Sequence, residues 1–248
     1  MGSIRGLLHS LWKYAIWSKA VPLQVNPMSF VTIQGSSKRE RKYQSLTVEE
    51  FQRFTEKLSR EPFRTITLVQ AFTGLRISEC LALRWYDVDW LNAKLTVARG
   101  IVRQRVGETK TEYSRNSLPI DHELVEVLKT RRNQTQFGSD SDWIFASPAK
   151  LGRLPWSYDQ VQRQVRMAAE AANIAFKSGE IFGTHSMRNS FRSYLDAVGA
   201  PLSVQQKLMR HGDIRTTMNT YGDVITDAAR SPLESGSDGS AETELICE

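Results

Sequence analysis

Strand-like segments are confined to one block of this 248-residue chain, and helical patterns precede and follow the block. The segments WYDVDW, KLTVARGIVRQRV and SRNSLPI are rich in aromatic and β-branched residues. Leu-Asn-Ala separates the first two, and the polar turn Gly107–Lys110 separates the last two. Strands joined by such short links pair in antiparallel order, whereas parallel strands need a long crossover between them. The sequence therefore predicts an α+β fold, a mainly helical domain with a small three-stranded antiparallel sheet.

Local signals place the helices around this block. Thr47 and Glu50 match a capping box, which predicts a helix that begins after Thr47. Residues 62–72 are apolar at helical spacing and end at Thr73-Gly74, where glycine favours a left-handed cap. A short helix then begins at Arg76. Further helices are predicted in ELVEVLKTRR, YDQVQRQVRMAAEAANI, HSMRNSFRSYLDAVG, SVQQKLMRH and the short segment before Tyr221.

Composition divides the chain into four parts. The first holds one helix, over residues 3–20, whose apolar stripe needs a partner to cover it. A basic linker and a body long enough to bury one sizeable core follow, and an acidic tail, which we expect to be disordered, ends the chain. The predicted parts are residues 1–33, 34–45, 46–230 and 231–248.

Other classes of protein are disfavoured by what the chain lacks. Cys80 and Cys247 are far apart and predict neither a disulfide framework nor a metal site. The apolar runs are short and broken by charge, so we expect no membrane span. The sequence therefore favours a cytoplasmic protein.

Positive charge is concentrated in the body of the chain. The net charge is +6, but the 33 basic and 22 acidic residues of positions 1–231 leave that part at +11. A folded domain with such an excess commonly binds a polyanion, although a solvated basic surface is the alternative. Residues placed to contact phosphates are Lys38, Arg39, Arg41 and Lys42 of the linker, together with Arg115 and Arg210.

Six polar residues of the body form a chemical set. Each has an ordinary structural explanation when taken alone: a surface arginine, a solvated lysine, a capping histidine or a packed tyrosine. No Asp/Asp or His/Cys cluster suited to a metal accompanies them. The six are Arg76, Lys110, His185, Arg188, His211 and Tyr221.

Together these residue types suit one reaction. Two guanidinium forks match the oxygens of a phosphodiester and would stabilise the charge that develops on a five-coordinate phosphorus. A tyrosine hydroxyl, with a free pKa of about 10, could be activated by a histidine and by the field of the arginines. A lysine could protonate the departing sugar oxygen. The set predicts attack of a tyrosine on a nucleic-acid phosphate without a metal ion.

At these residues the sequence resembles the tyrosine recombinases, the phage-integrase type of site-specific recombinase. The segments TGLRISE, TKT followed by SLPI, HSMR and RHGDIRTTMNTYG resemble the signature segments of that family and occur in its order across residues 73–222. The resemblance implies a recombinase-like catalytic fold that cleaves and rejoins DNA strands. It also implies that Tyr221 forms a 3′-phosphotyrosyl link.

The resemblance implies a role for each of the other residues. Arg76 and Arg188 would clamp the scissile phosphate, and Lys110 would be the general acid for the 5′ oxygen. His185 would assist proton transfer at the nucleophile, and His211 would hydrogen-bond the phosphate. Glu79 matches the acidic residue after the first arginine and would brace Arg76 or its neighbours.

The same resemblance implies the partners. The covalent link conserves the energy of the broken phosphodiester, so neither ATP, a metal ion nor another cofactor is expected. Double-stranded DNA is the implied partner, on which four protomers would assemble. A membrane and a small-molecule substrate are not expected, and the implied location is the nucleoid.

The chain departs from the family at two places. Family members commonly have glycine before the second histidine, where this chain has Met209-Arg210-His211. Most members also carry a helical DNA-gripping domain, of which this sequence shows one remnant helix. A truncated gene product, an excised fragment and a naturally minimal form are the three explanations of this departure. Two alternatives stay open: an impaired recombinase that only binds DNA, and an enzyme like the type IB topoisomerases.

Overall fold

The structure, a computed structural model, describes residues 2–32, 42–108 and 116–210. The chain divides after Lys42 into two units, which are taken separately below. Several predicted features lie outside the described residues: most of the linker with Lys38, Arg39 and Arg41, then Lys110, Arg115, His211, Tyr221 and the acidic tail. Within the described ranges, no helix has the length and apolar character needed to cross a membrane.

The first unit contains the predicted amphipathic helix. This helix, α1, spans Gly2–Trp17, and a short 3-10 turn follows at Pro27–Ser29. Asn26 Nδ2 donates a hydrogen bond to His9 O at 3.0 Å, which ties the turn back to the helix. The first half of the apolar stripe of α1 is exposed, from Ile4 to Leu11.

The second unit begins at Tyr43 and contains the remaining helices. Its first helix opens with the predicted capping box: Glu50 N donates to Thr47 Oγ1, and Thr47 N donates to Glu50 Oε2. These reciprocal bonds satisfy backbone donors that a helix start leaves free. The helices are α2 (Val48–Lys57), α3 (Phe63–Thr73), α4 (Ile77–Cys80), α5 (His122–Gln134), α6 (Tyr158–Ala171), α7 (Thr184–Ala197) and α8 (Leu202–Met209).

Helix α3 lies at the centre of the core and packs against α5, α6 and α7. Ile66 and Val69 on this helix are fully buried, as is Phe63 at its start. A helix apolar around most of its circumference is typical of an element covered on several sides. Its end therefore lies at a fixed position relative to α7.

Glycine is required where α3 ends. Gly74 has a φ of +63°, the left-handed conformation that glycine adopts without steric cost. A Cβ atom at this position would lie 2.5 Å from the ring of Phe191 on α7. The predicted cap is confirmed, and it brings the end of α3 close to α7.

The predicted three-stranded antiparallel sheet is present. Its order is β1 (Val88–Asp89), β2 (Lys94–Val97) and β5 (Asn116–Pro119), with Leu95 opposite Leu118. Both of these leucines are buried. One face of the sheet therefore covers the helical core.

The prediction for the segment between β2 and β5 was wrong in detail. KLTVARGIVRQRV is not one strand, because a separate hairpin forms from β3 (Arg99–Val102) and β4 (Arg105–Glu108). The turn lies at Arg103-Gln104, and Gly107 lies within β4 rather than in a turn. Both turn residues have positive φ, 50° and 60°, as two-residue hairpin turns require. Arg and Gln are not residue types that indicate such a turn, so the sequence pattern could not predict it.

A buried ion pair anchors this hairpin. Arg99 Nη1 and Nη2 donate to the two carboxylate oxygens of Asp87 at 2.9 and 3.0 Å. Nη1 also donates to Ala82 O at 3.3 Å, and Asp87 accepts from Arg84 N at 2.7 Å. The pair joins β3 to the short 3-10 helix Trp85–Asp87 with its charges matched one to one.

Candidate active site

The first predicted phosphate ligand, Arg76, lies at the start of helix α4. Its backbone N–H donates to Glu79 Oε2 at 2.9 Å, and its Nη1 donates to Oε1 at 3.1 Å. The side chain of Arg76 is 41% exposed, whereas that of Glu79 is only 8% exposed. Glu79 therefore holds Arg76 from the buried side and leaves the guanidinium partly open to solvent.

The second predicted ligand, Arg188, is buried on helix α7. Its Nη1 donates to the carbonyl of Gly74, and its Nη2 donates to the carbonyl of Met209 at 2.5 Å. These carbonyls belong to the ends of α3 and α8, where helix carbonyls lack partners within the helix and favour a cation. Arg188 thereby joins three helices at one point.

Burial and neighbouring charge act on Arg188. The pKa of this guanidinium is lowered to about 9, first by burial and then by the charges of Arg76 and Arg210, with Glu79 opposing them. The group is still a cation at neutral pH. Its desolvated charge favours an approaching anion, which would replace part of the lost solvation.

His185 lies one turn before Arg188 on the same helix. Burial, followed by the charges of Arg188 and Arg76, lowers the pKa of His185 below its ordinary value. The imidazole is therefore neutral at physiological pH and can accept a proton. This is the protonation state that the predicted role at the nucleophile requires.

Glu79 is the carboxylate around which the arginines gather. Burial acts to raise its pKa, but Arg210, the backbone N–H of Arg76, and the charges of Arg76 and Arg188 together lower it. The carboxylate is charged at neutral pH. Among the described residues, three cations thus lie around this one carboxylate, which leaves a local excess of positive charge.

Arg210 occupies a different position from the one that its sequence context suggests. The side chain is 3% exposed, and Nη2 lies 2.5 Å from Glu79 Oε2. The guanidinium therefore contacts a carboxylate of its own chain instead of extending from the surface toward DNA. The DNA contact predicted at Arg210 stays a prediction.

A cleft of about 630 Å³ opens beside this cluster. Arg76 and His185 line it together with the Arg103-Gln104 turn, the start of α6 at Tyr158, and apolar residues of α4. Excess positive charge at the edge of a cleft attracts an anionic group. The arrangement is suited to hold a phosphodiester against Arg76 and His185.

Tyr43 is a neighbour of the site that the sequence analysis missed. Its ring lies 4.9 Å from the ring of His185, centroid to centroid. Asn189 Nδ2 donates to Tyr43 O, and Gln44 N donates to Ile181 O, so this segment packs on α7 and the chain before it. The predicted linker, residues 34–45, thus ends inside the second unit. No local pattern in the sequence signals the ring contact.

The described structure brings part of the predicted set together. Arg76, Glu79, His185 and Arg188 form one cluster, and Lys42 is exposed at the end of the first unit. The positions of Lys110, His211 and Tyr221 fall in the ranges that the structure does not describe. Among the residues that it does describe, no group of three or more His, Cys, Asp or Glu could hold a metal ion.

Sequence comparison relates the chain to known proteins. Residues 44–226 match the family model described as the phage integrase family. The chain is 24% identical over 222 residues to a XerC-like tyrosine recombinase of Caldanaerobacter subterraneus subsp. tengcongensis, covering 81% of this chain and 56% of that protein. It is 30% identical over 165 residues to the integrase of Staphylococcus phage L54a, covering 62% and 45%. The chain thus spans about half the length of these curated relatives.

Solved structures share the fold. The Tn1549 transposon integrase in complex with a circular intermediate DNA matches with a TM-score of 0.71 at 19% identity, over 94% of this chain and 78% of that chain. A λ integrase tetramer bound to a Holliday junction matches with a TM-score of 0.58 at 19% identity, over 85% and 57%. The predicted α+β recombinase-like fold is confirmed.

Proposed function

This chain belongs to the phage integrase family, and we propose that its body, residues 46–230, cleaves and rejoins double-stranded DNA through a covalent 3′-phosphotyrosyl link at Tyr221. The observation that carries the proposal is that Arg76 and neutral His185 line one cleft, while the charge of buried Arg188 acts on both of them. Fixed guanidinium donors stabilise the charge that develops during phosphoryl transfer, and a proton acceptor takes the proton of the attacking hydroxyl.

The proposed reaction begins with the scissile phosphate bound to Arg76 and Arg188. Tyr221 Oη attacks phosphorus, and its proton passes to His185. The P–O5′ bond breaks, and the departing 5′ oxygen takes a proton from Lys110. The O–P bond to tyrosine replaces the one that is lost, so attack by a 5′-hydroxyl reverses the step and rejoins the strand.

The charges around phosphorus explain the need for both arginines. Negative charge grows on the non-bridging oxygens as the fifth bond forms. Arg76 is partly exposed toward the cleft, and Arg188 is a buried cation whose lowered pKa reflects incomplete solvation. An oxyanion beside them would be stabilised more strongly than in water, because the local dielectric is lower. His211 would add one hydrogen bond to the same phosphate.

Assembly on DNA extends the proposal. The positive charge of residues 1–231, with Lys38, Arg39, Arg41, Lys42 and Arg115 among the contributors, suits the DNA backbone. One relative of the same fold is described as a tetramer bound to a Holliday junction. We expect this chain likewise to act as four protomers on two duplexes.

A trapping experiment tests the reaction. The protein is incubated with a library of nicked duplexes whose core sequence is randomised, in the presence of EDTA, and adducts are resolved on a denaturing gel. We expect a covalent adduct from the wild-type chain and none from Tyr221→Phe, which lacks the nucleophilic oxygen. Binding of duplexes without any adduct would contradict the proposal and favour a protein that only binds DNA.

Strand transfer separates two kinds of enzyme with the same chemistry. A recombinase joins the cleaved strand to a second duplex, whereas a type IB topoisomerase reseals it to the original partner and relaxes supercoils. We expect labelled strands to be transferred to an added duplex that carries a 5′-hydroxyl end. Relaxation of a supercoiled plasmid without transfer would overturn the recombinase assignment.

A further inference from the structure

The backbone at Arg210 has a conformation that normally selects glycine. Arg210 caps helix α8 with a φ of +51°, in the left-handed region that residues with a Cβ atom rarely adopt. An arginine at such a position indicates that its side chain makes a compensating contact.

That contact is the ion pair with Glu79. Nη2 of Arg210 lies 2.5 Å from Oε2, and the side chain is 97% buried. Within the part of the chain that the structure describes, none of the guanidinium nitrogens of Arg210 has an acceptor in good hydrogen-bond geometry. Glu79 therefore supplies the anion that offsets this buried cation.

Glu79 is divided between two arginines as a result. Its Oε1 accepts from Arg76 Nη1, while its Oε2 faces Arg210 and accepts from the backbone N–H of Arg76. The carboxylate does not take a second donor from the Arg76 guanidinium. The remaining donors of that guanidinium have no protein partner among the described residues, and its side chain is partly exposed in the cleft.

We propose that Arg210 is a positioning residue, which holds Glu79 so that Arg76 keeps guanidinium donors available for the substrate phosphate. The proposal rests on the function proposed above. Without Arg210, the carboxylate has Arg76 as its nearest remaining side-chain cation, and a two-pronged Arg–Glu pair would compete with the phosphate for the same donors. Arg210 thus acts on the phosphate through Glu79.

A neighbouring bond supports this role. Arg188 donates to the carbonyl of Met209, the residue directly before Arg210. The end of α8 is therefore joined to one arginine of the site through its backbone and to the other through Glu79. Movement of this helix end would alter both arginines together.

A double-mutant cycle tests the proposal with inorganic phosphate as the probe. The Arg210→Met, Glu79→Gln and double variants are compared with wild type, and phosphate affinity is read from the NMR shift of His185. Arg210→Met should weaken phosphate binding about tenfold, but less than about twofold when Glu79 is already Gln, because a contact that acts through Glu79 needs its charge. Arg210→Lys, which keeps the cation, should recover most of the affinity.

The same variants are assayed for adduct formation on a cleavable duplex. Cleavage by Arg210→Met should slow by a similar factor, about tenfold, and again only when Glu79 is present. If wild type forms no adduct while the phosphate cycle shows coupling, the proposed function fails and the positioning role stands. Additive losses in the phosphate cycle would overturn the positioning role, because they indicate that Arg210 acts on the phosphate directly or elsewhere.

A pH profile adds a readout that a purely structural role would not change. Arg76, Arg188 and Arg210, from α4, α7 and α8, are the charged groups that lower the pKa of Glu79, and Arg210 is the largest of these influences. In Arg210→Met the pKa of Glu79 should rise, so that the acidic limb of the profile, where protonation of Glu79 changes phosphate affinity, moves to higher pH. If Arg210→Met does not fold, Arg210→Gly suits the backbone and should show the same dependence on Glu79. An unchanged acidic limb in the folded variant would contradict the proposal.

Discussion

Two arginine–carboxylate groups of the second unit differ in charge balance. In the first, Arg99 meets Asp87 through two parallel hydrogen bonds, and both partners bind nearby backbone groups as well. In the second, Glu79 faces Arg76, Arg188 and Arg210, so that three cations share one anion. A matched pair fixes the fold, whereas the excess of positive charge that the described residues place around Glu79 would suit a bound anion.

The largest effect should be on the cleavage rate, when one of the three arginines around Glu79 is removed. We expect Arg188→Met to slow cleavage by at least about a thousandfold, roughly 4 kcal/mol of transition-state stabilisation. The measurement is the single-turnover rate of adduct formation. Arg188→Lys is the matched control and should recover only part of the rate, because Lys lacks the planar fork that reaches two carbonyls. A rate within tenfold of wild type for Arg188→Met would show that this arginine does not bind the phosphate.

Breaking the matched pair should instead lower stability. Arg99→Met leaves Asp87 buried without its charge partner, and we expect the free energy of unfolding to fall by about 3 kcal/mol. Urea unfolding measures the change. Adding Asp87→Asn to the Arg99→Met variant should restore part of the lost free energy of unfolding, because the buried charge without a partner is then removed. The cleavage rate per folded molecule of Arg99→Met should stay close to that of wild type. A fall in this rate as large as that of Arg188→Met would contradict the assignment of the Arg99–Asp87 pair to stability alone.

A smaller effect is expected at the edge of the site. The ring of Tyr43 covers part of His185, and burial is the main cause of the lowered pKa of this histidine. Tyr43→Ala should therefore raise the pKa of His185 toward its ordinary value. In an acid titration this variant would then take up its proton at a higher pH than wild type does. Tyr43→Phe should leave the pKa lowered. The measurement is an NMR titration of the four histidines of the chain, and equal His185 pKa values in the Ala and Phe variants would contradict the covering role.

The smallest effect is expected for an exposed ion pair, which serves as the reference for the Arg99–Asp87 pair. Lys129 and Glu126 form an exposed ion pair on α5 at 2.8 Å, one turn apart. Such surface pairs contribute little, and we expect Lys129→Ala to change the free energy of unfolding by less than about 0.5 kcal/mol. A loss as large as that of Arg99→Met would show that exposure does not separate the two kinds of pair.

Local interactions account for the features that could be predicted from sequence. The Thr47–Glu50 capping box and the Gly74 cap depend on residues within one turn of a helix, so their residue types are sufficient evidence. The turn at Arg103-Gln104 could not be predicted, since neither residue type favours positive φ.

The long-range contacts of the site could not be predicted from local sequence patterns. Arg210 meets Glu79, and Tyr43 meets His185, only because α8 and the start of the second unit pack beside α4 and α7. The chemistry of Arg76, His185 and Arg188 could be predicted because their residue types and order suit one reaction. How their charges are balanced depends on packing that the sequence does not display.

The most direct test of the central claim is the identity of the residue that becomes attached to DNA. The trapped adduct is digested with nuclease and protease, and the nucleotide-bearing peptide is sequenced by mass spectrometry. The account predicts a 3′-phosphonucleotide on Tyr221 and no modified peptide from Tyr221→Phe. A modified residue other than Tyr221, or an unmodified wild-type chain recovered from the DNA that it binds, would contradict it.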